Sequence, residues 1–205
     1  MPLSRAFYLR PARTVARDLL GCVLVSRRGR TITSGRIVET EAYLGPDDAA
    51  SHAAFRPGSR ALFYGPGGIA YVYQAYGLHD CLNAIAGRIG HPGCVLIRAL
   101  EPLEGAGVMA RRRAVPADSR RLASGPGNLT RALGVSRRHN GADLIAGPLT
   151  IEPRDGPAPR PVAAGPRVGV TRATARILRF WIAGNPCVSQ GRRVQQTPRF
   201  SYPFC

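Results

Sequence analysis

Between a basic turn ending at Arg30 and the break at Gly45-Pro46 the chain runs TITSGRIVETEAY, Thr31 to Tyr43. Val, Ile, Thr and Tyr favour strands, and turn signals bound the run on both sides. Residues two apart in a strand share a face. Glu39, Glu41 and Tyr43 are therefore predicted to point one way, and Val38, Thr40 and Ala42 the other. Cys22 to Ser26 (CVLVS) reads as a strand just upstream, so Thr31–Tyr43 is expected to pair back on it through Arg27–Arg30. A long strand with two glutamates in a half-buried stretch must satisfy them with structural partners or use them in a site.

The rest of the chain is cut short by its punctuation. With 24 Gly and 18 Pro in 205 residues, many turns and short elements are expected, not a long-helix bundle. Thr14–Leu20 reads as a helix stopped by Gly21, and Pro46–His52 as the first turns of another, with Pro early and two acids near its start. Ile69–Ala75 and His79–Ala86 read as antiparallel strands joined at Tyr76-Gly77-Leu78, and Cys94–Glu101 as a further strand. Gly105–Arg113 is a basic helix candidate. Asn128–Leu133 is a helix entered through SGPGN, a loop that could offer backbone N–H groups to a phosphate. Leu149–Glu152, Arg167–Val170 and Ile177–Ala183 read as late strands, and Gly141–Pro166 is Pro/Gly/Ala-rich, with a loop around Arg154–Pro161. No βαβ rhythm appears. The expected fold is α+β: one domain over residues 1–205, with a curved, largely antiparallel, barrel-like sheet, short flanking helices and a protruding β-hairpin.

Charge points to the partner. The sequence has 29 basic and 12 acidic residues, net +17, and every basic residue is arginine. Such an excess implies a polyanion, although a solvated basic surface would have the same composition. Arginine binds phosphate bidentately and stacks on bases. No apolar run is long enough to span a bilayer, and MPLSRAFYLRPAR lacks the apolar core of a secretory signal, so a soluble, cytoplasmic protein is expected. The cysteines, Cys22, Cys81, Cys94, Cys187 and Cys205, are odd in number and contain no C-x-x-C pair. That argues against a disulfide framework, a zinc site or an iron–sulfur cluster. No metal and no cofactor are expected.

Three features carry candidate chemistry: Glu41 with Tyr43, His52 shortly after, and the Tyr71, Tyr73, Tyr76 series followed by Asn83 and Arg98. Taken singly each has a structural reading. A tyrosine-rich strand packs a core, a lone histidine is hydrogen-bonded structure, and Glu39 pairs with an arginine.

The wording and order of GRIVETEAYLGPDDAASHA, GPGGIAYVYQAYGLHDCLNAI, CVLIRALEPLEG, SGPGNLTRALG, RVGV and LRFWIAGNPCVS resemble the alkyladenine (3-methyladenine) DNA glycosylase family, monofunctional enzymes that excise alkylated purines. The resemblance runs from about Thr14 to about Ser189. It implies Glu41 as general base for the attacking water, with Arg98 helping to hold the water and the nearby backbone. It implies Tyr43, His52 and Tyr73 as an aromatic slot for a flipped base. Tyr76 would be the wedge that fills the gap left in the duplex, and Asn83 a pocket-floor residue that disfavours normal guanine. The implied partner is double-stranded DNA containing damaged purines, met by a monomer. Glu39 is read as structural.

The sequence departs from that pattern twice. Gly58-Ser59 stands where the family usually carries an Arg-Asn pair, and Asp80 stands where an aromatic is common. Two rival readings remain at this level. A bifunctional glycosylase/lyase needs an amine for a Schiff base, and without lysine only an N-terminal amine such as that of Pro2 could serve. A non-enzymatic nucleic-acid binder accounts for the charge and the tyrosines but not for ETEAY.

Overall fold

A computed structural model describes residues 1–189. Cys205 therefore lies outside the described residues. The helices are α1 (Arg5–Tyr8), α2 (Ala12–Asp18), α3 (His52–Phe55), α4 (Arg60–Phe63), α5 (Ala106–Arg113) and α6 (Pro126–Leu133). The strands are β1 (Val23–Arg28), β2 (Thr31–Tyr43), β3 (Ala70–Ala75), β4 (His79–Ile85), β5 (Cys94–Pro102), β6 (Leu149–Glu152), β7 (Val162–Pro166) and β8 (Ile177–Ile182). They form one sheet in the order β3-β4-β5-β2-β1-β6, with β8 joined to β2 and β7 to β8. Every pairing is antiparallel. The fold is the expected α+β one: a curled, antiparallel half-barrel with a few short helices.

β2 is the spine. Its first half pairs with β1 and its second half with β8, while β5 runs along the other edge. Glu39–Glu41 thus lie between two strands and have no free backbone edge. On one face of β2, Thr40 donates its hydroxyl to the Ala16 carbonyl, 2.8 Å away, which ties α2 to the sheet. Ile37, Ala42, Val95, Ile97, Leu100 and Phe180 join residues of α2 and α6 in the main core. Burying each such large side chain is worth roughly 1.5–3 kcal/mol.

The face assignment from strict alternation fails at one place. The β2–β5 register steps past Val38 on β2 and past Arg98 on β5, neither of which has a partner across the ladder. Val38 consequently leaves the face of Thr40 and Ala42 and packs with Ala99 and Cys187. Bulges re-aim side chains. Here the paired irregularity brings Arg98 onto the same side as Glu39 and Glu41.

Two further expectations are corrected. Pro46–Ser51 is loop, and the helix begins only at His52, with Ser51 accepting from the Ala53 N–H at 3.3 Å. Asp48 is the reason. Its carboxylate accepts from the Leu44 and Ala50 N–H groups at 3.2 and 3.3 Å, which competes with helical bonding. Arg167–Val170 is not a strand either. The strand lies earlier, at Val162–Pro166, just after the loop expected around Arg154–Pro161. After Pro166 the chain leaves the sheet because Arg167 turns inward to Asp48.

The other expected elements fall within two residues of their bounds, while α1 and α4 have no counterpart in the sequence reading. The largest shifts are at α2, which lies two residues earlier at both ends, and at α6, which starts at Pro126, not Asn128. Its close approach to the hairpin depends on Gly127, where a Cβ would come within 2.8 Å of the His79 Cβ. No helix among the described residues is long and apolar enough to cross a membrane.

Candidate active site

A row of directly opposed residues crosses the sheet: Tyr71 on β3, Asn83 on β4, Leu96 on β5, Glu41 on β2 and Arg179 on β8. Opposed residues share a face. Above this row lies a cavity of about 730 Å³, lined among others by Tyr43, His52, Tyr73, Asn83, Arg98 and Val168. The volume falls in the range of small-molecule pockets, about 300–1,000 Å³.

Glu41 does not reach the cavity surface. It is fully buried, one side-chain layer beneath a wall that includes Tyr43, Leu96, Arg98 and Val168. Its Oε2 accepts from the Tyr43 hydroxyl at 2.9 Å. Its Oε1 accepts from the Val168 N–H at 2.7 Å and faces Arg98 Nη1 at 3.2 Å. A carboxylate offers about four acceptor positions, so one stays open. Burial pushes the Glu41 carboxyl above the usual carboxylate range, while Arg98, Val168 and Tyr43 pull it back. All three neighbours are donors, and that arrangement suits the ionised form.

Glu39 also has three donors, two of them guanidiniums. Its Oε1 meets Arg98 Nε at 2.9 Å and Arg179 Nε at 2.6 Å, and its Oε2 accepts from the Ser189 N–H at 2.8 Å. Two carboxylates and two guanidiniums form a balanced buried cluster. Burial works against the Arg98 charge, but Glu41 and Glu39 outweigh it and keep the group cationic.

The aromatic residues form two separate walls. The His52 and Tyr73 rings touch edge-on, centroids 4.3 Å apart, so they belong to one wall. Tyr71 stacks beside Tyr73 at 5.5 Å and places its hydroxyl 2.8 Å from His52 Nδ1. Phe63 of α4 backs Tyr71 edge-on at 4.9 Å. Tyr43 approaches from β2, with the Arg167 guanidinium 4.6 Å from its ring centre. Burial and the Arg56 charge lower His52 to about 4, so its imidazole is neutral at pH 7. Burial, with Glu41 beside it, raises Tyr43 well above an ordinary phenol, so it remains a donor. Asn83 lies at the base of the cavity. Its amide donates to the Tyr71 carbonyl at 3.1 Å, which fixes its orientation. Burial raises the cavity thiols as well, Cys81 to about 11 and Cys94 further, so neither is a thiolate nucleophile at neutral pH.

Tyr76 stands apart. It sits at the tip of the β3–β4 hairpin, 83 % exposed beside an exposed Leu78. Tyr76 and Gly77 have φ of 51° and 68°, and the Leu78 N–H donates to the Ala75 carbonyl at 3.0 Å. This is the pattern of a type I′ turn. A bulky residue at positive φ is a local strain, and such strain concentrates at functional positions.

Sequence reasoning missed the support for Glu41. The Asp48 carboxylate and the Arg167 guanidinium form a bidentate pair at 2.6 and 2.8 Å, with both side chains fully buried. The pair fixes the chain just before Val168, whose N–H holds Glu41. Nothing local in PDD or RVGV signals this contact. At the first departure, Ser59 puts its hydroxyl 3.5 Å from that of Tyr71, the outer limit of a hydrogen bond. At the second, Asp80 has one carboxylate oxygen shielded from solvent with no partner among the described residues, while its carbonyl accepts from Thr130.

Comparison with known proteins places this geometry. The family model for Methylpurine-DNA glycosylase (MPG) matches residues 6–186. A protein of Koribacter versatilis named "Putative 3-methyladenine DNA glycosylase" is 47% identical over 196 residues, 94% of each chain. Proteins with the same name from Methanoculleus marisnigri and Anaeromyxobacter dehalogenans are 46% and 50% identical, covering 93% of this chain and 100% and 87% of theirs. A match over nearly the whole length, spanning both ends of the Glu41 cluster, shows that the chain belongs to the methylpurine-DNA glycosylase family of enzymes.

Proposed function

We propose that the protein turns an alkylated or deaminated purine out of duplex DNA into the aromatic cavity and hydrolyses its N-glycosidic bond with a water held by Glu41, leaving an abasic site. The observation that carries this reading is the buried Glu41 carboxylate, held only by donors, beneath an aromatic-lined cavity of about 730 Å³ that has room for a purine.

Chemistry on a base requires the base outside the stack. Its two lost neighbours are replaced by π-faces, Tyr73 with His52 on one side and Tyr43 on the other. A purine alkylated at a ring nitrogen is cationic, and electron-rich rings attract it. The neutral imidazole of His52 suits that ligand, because an imidazolium would repel it. Tyr76 fills the vacated space in the duplex from its hairpin tip.

In the bond-breaking step the C1′–N bond electrons leave with the base, which departs neutral if it entered as a cation. The sugar becomes oxocarbenium-like. Water adds its oxygen to C1′ and gives a proton to Glu41, whose fourth acceptor position serves that role. Glu39 with Arg179 and Glu41 with Arg98 neutralise each other, so the buried cluster itself adds no net positive charge beside the forming sugar cation.

The test is Glu41→Gln, with excision of 3-methyladenine or hypoxanthine from duplex oligonucleotides measured under single-turnover conditions. Excision should fall on the order of 100-fold or more, the usual effect of losing a general base, while affinity for lesion DNA persists. A rate within threefold of wild type at equal binding refutes the reading.

A further inference from the structure

A second concavity, of about 610 Å³, adjoins the cavity on the far side of Tyr73 and is lined by Arg56, Ser59, Tyr71, Val72, Tyr73, Gln74, Arg137 and Asn140. It shares Arg56, Tyr71, Tyr73 and Gln74 with the cavity, so the two adjoin across these residues. β3 is an end strand of the sheet, and the groove follows its open edge. The edge is covered only in part. The Ala70 N–H donates to the Ala142 carbonyl and the Val72 N–H to Asn140 Oδ1, both near 2.9 Å. By the two-residue period Gln74 presents the next outward N–H, which has no partner among the described residues. Arg56 and Arg137 flank that position from the segments on either side. Both are exposed, and neither pairs with a carboxylate among the described residues. No aspartate or glutamate lines the groove.

Two unpaired guanidiniums, an outward N–H and three neutral polar side chains make an anion site. Resting on the glycosylase reading above, we propose that this groove holds a phosphodiester of the lesion-bearing strand next to the extruded nucleotide, with Arg137 as its principal ligand. The groove adjoins the cavity across Tyr73, so a strand whose nucleotide enters the cavity brings neighbouring backbone close to it. Arg56 lies 5.3 Å from the Tyr73 ring centre and lines both spaces, linking phosphate contact to the wall that stacks the base. Arg137 lines the groove alone and is therefore the cleaner probe.

The experiment uses the full chain and a duplex bearing a tetrahydrofuran abasic-site analogue. One phosphodiester at a time around the analogue is replaced by an uncharged methylphosphonate. Arg137→Ala is compared with Arg13→Ala, an exposed arginine on α2, which packs on the opposite face of the sheet from Glu41. Arg137→Ala should weaken binding about tenfold, the effect of one charge-assisted hydrogen bond, and make the salt slope shallower by about 0.9. At one methylphosphonate position the two losses should not add, because each removes the same contact. Arg13→Ala should add at every position. Strict additivity for Arg137→Ala at every position, or a loss no larger than that of Arg13→Ala, overturns the proposal. The same cycle on a lesion-free duplex, together with a wild-type excision assay, separates the two readings. If excision fails while the non-additive position persists, the glycosylase reading is wrong and the phosphate site stands.

Discussion

Asp48→Ala is the sharpest perturbation of the link between fold and site. It strips both hydrogen bonds from the Arg167 guanidinium, whose side chain has no solvent exposure, and leaves one Arg167 bond, from Nη1 to the Ala42 carbonyl at 3.1 Å. Removing one partner of a buried ion pair costs about 3–5 kcal/mol, because the remaining charge is left uncompensated. That is a large share of the roughly 5–15 kcal/mol that holds a typical domain folded. For a chain of this length it corresponds to a fall in Tm of about 6–20 °C, at roughly 2–4 °C per kcal/mol. Urea or thermal unfolding followed by circular dichroism measures it.

The double variant Asp48→Ala with Arg167→Met should recover most of the loss, since neither charge remains. It should not recover excision, because the Tyr43 ring loses its cation and the chain before Val168 loses its anchor. The linkage to pH has a definite sign. Burial alone would raise Asp48, but its hydrogen bonds from Arg167, Leu44 and Ala50 outweigh it and lower the carboxyl. A group depressed by folding contributes stability that is fully present above its unfolded value, about 3.9, and is lost as pH falls through the lower folded value. Wild type and Asp48→Ala should therefore differ most above about pH 4 and converge in stronger acid. A loss below about 1 kcal/mol, or a double variant as unstable as the single, would refute the assigned role of the pair.

Tyr76→Ala should reduce excision from duplex DNA while leaving excision from single strands nearly unchanged, since a single strand has no gap to fill. Equal losses on both would place Tyr76 in the cavity wall. Because Glu41 must be ionised to accept a proton and burial raises it, the acid limb of the single-turnover rate should lie above the ordinary glutamate value of about 4.3. A limb at or below that value removes Glu41 as the base. With no lysine in the sequence, borohydride should trap no covalent complex, and strands should break at the product site only after alkali treatment. A trapped adduct would point to the amine of Pro2.

What could be read from the sequence followed from whether the cause was local. β2 and the β3–β4 hairpin were legible because alternation and turn residues act within a few positions. The faces of β2 were legible by parity until Val38, where parity breaks for a reason that lies on β5. Asp48 was misread because a Pro-Asp-Asp opening suits a helix N-terminus, whereas its carboxylate takes the nearby Leu44 and Ala50 N–H groups and is held there by Arg167, 119 residues away. The I′ backbone at Tyr76 had a local sign, the following Gly77, yet the strain at Tyr76 itself appears only in its φ. These illegible features share one consequence: each fixes where a functional group points. Arg98 reaches Glu39 and Glu41 through the register break, Val168 reaches Glu41 through Arg167, and Glu39 is completed by Ser189, 150 residues on. The carboxylates arrive early in the chain and their donors arrive late. A chain ending before Arg167 would bury Glu41 with only Arg98 and Tyr43 to hold it, and Glu39 with Arg98 alone. Burying poorly paired carboxylates is costly enough to force protonation or opening of the site. The last third of the described chain, which contributes no aromatic ring to the cavity, thus supplies one of the three donors to Glu41 and two of the three to Glu39.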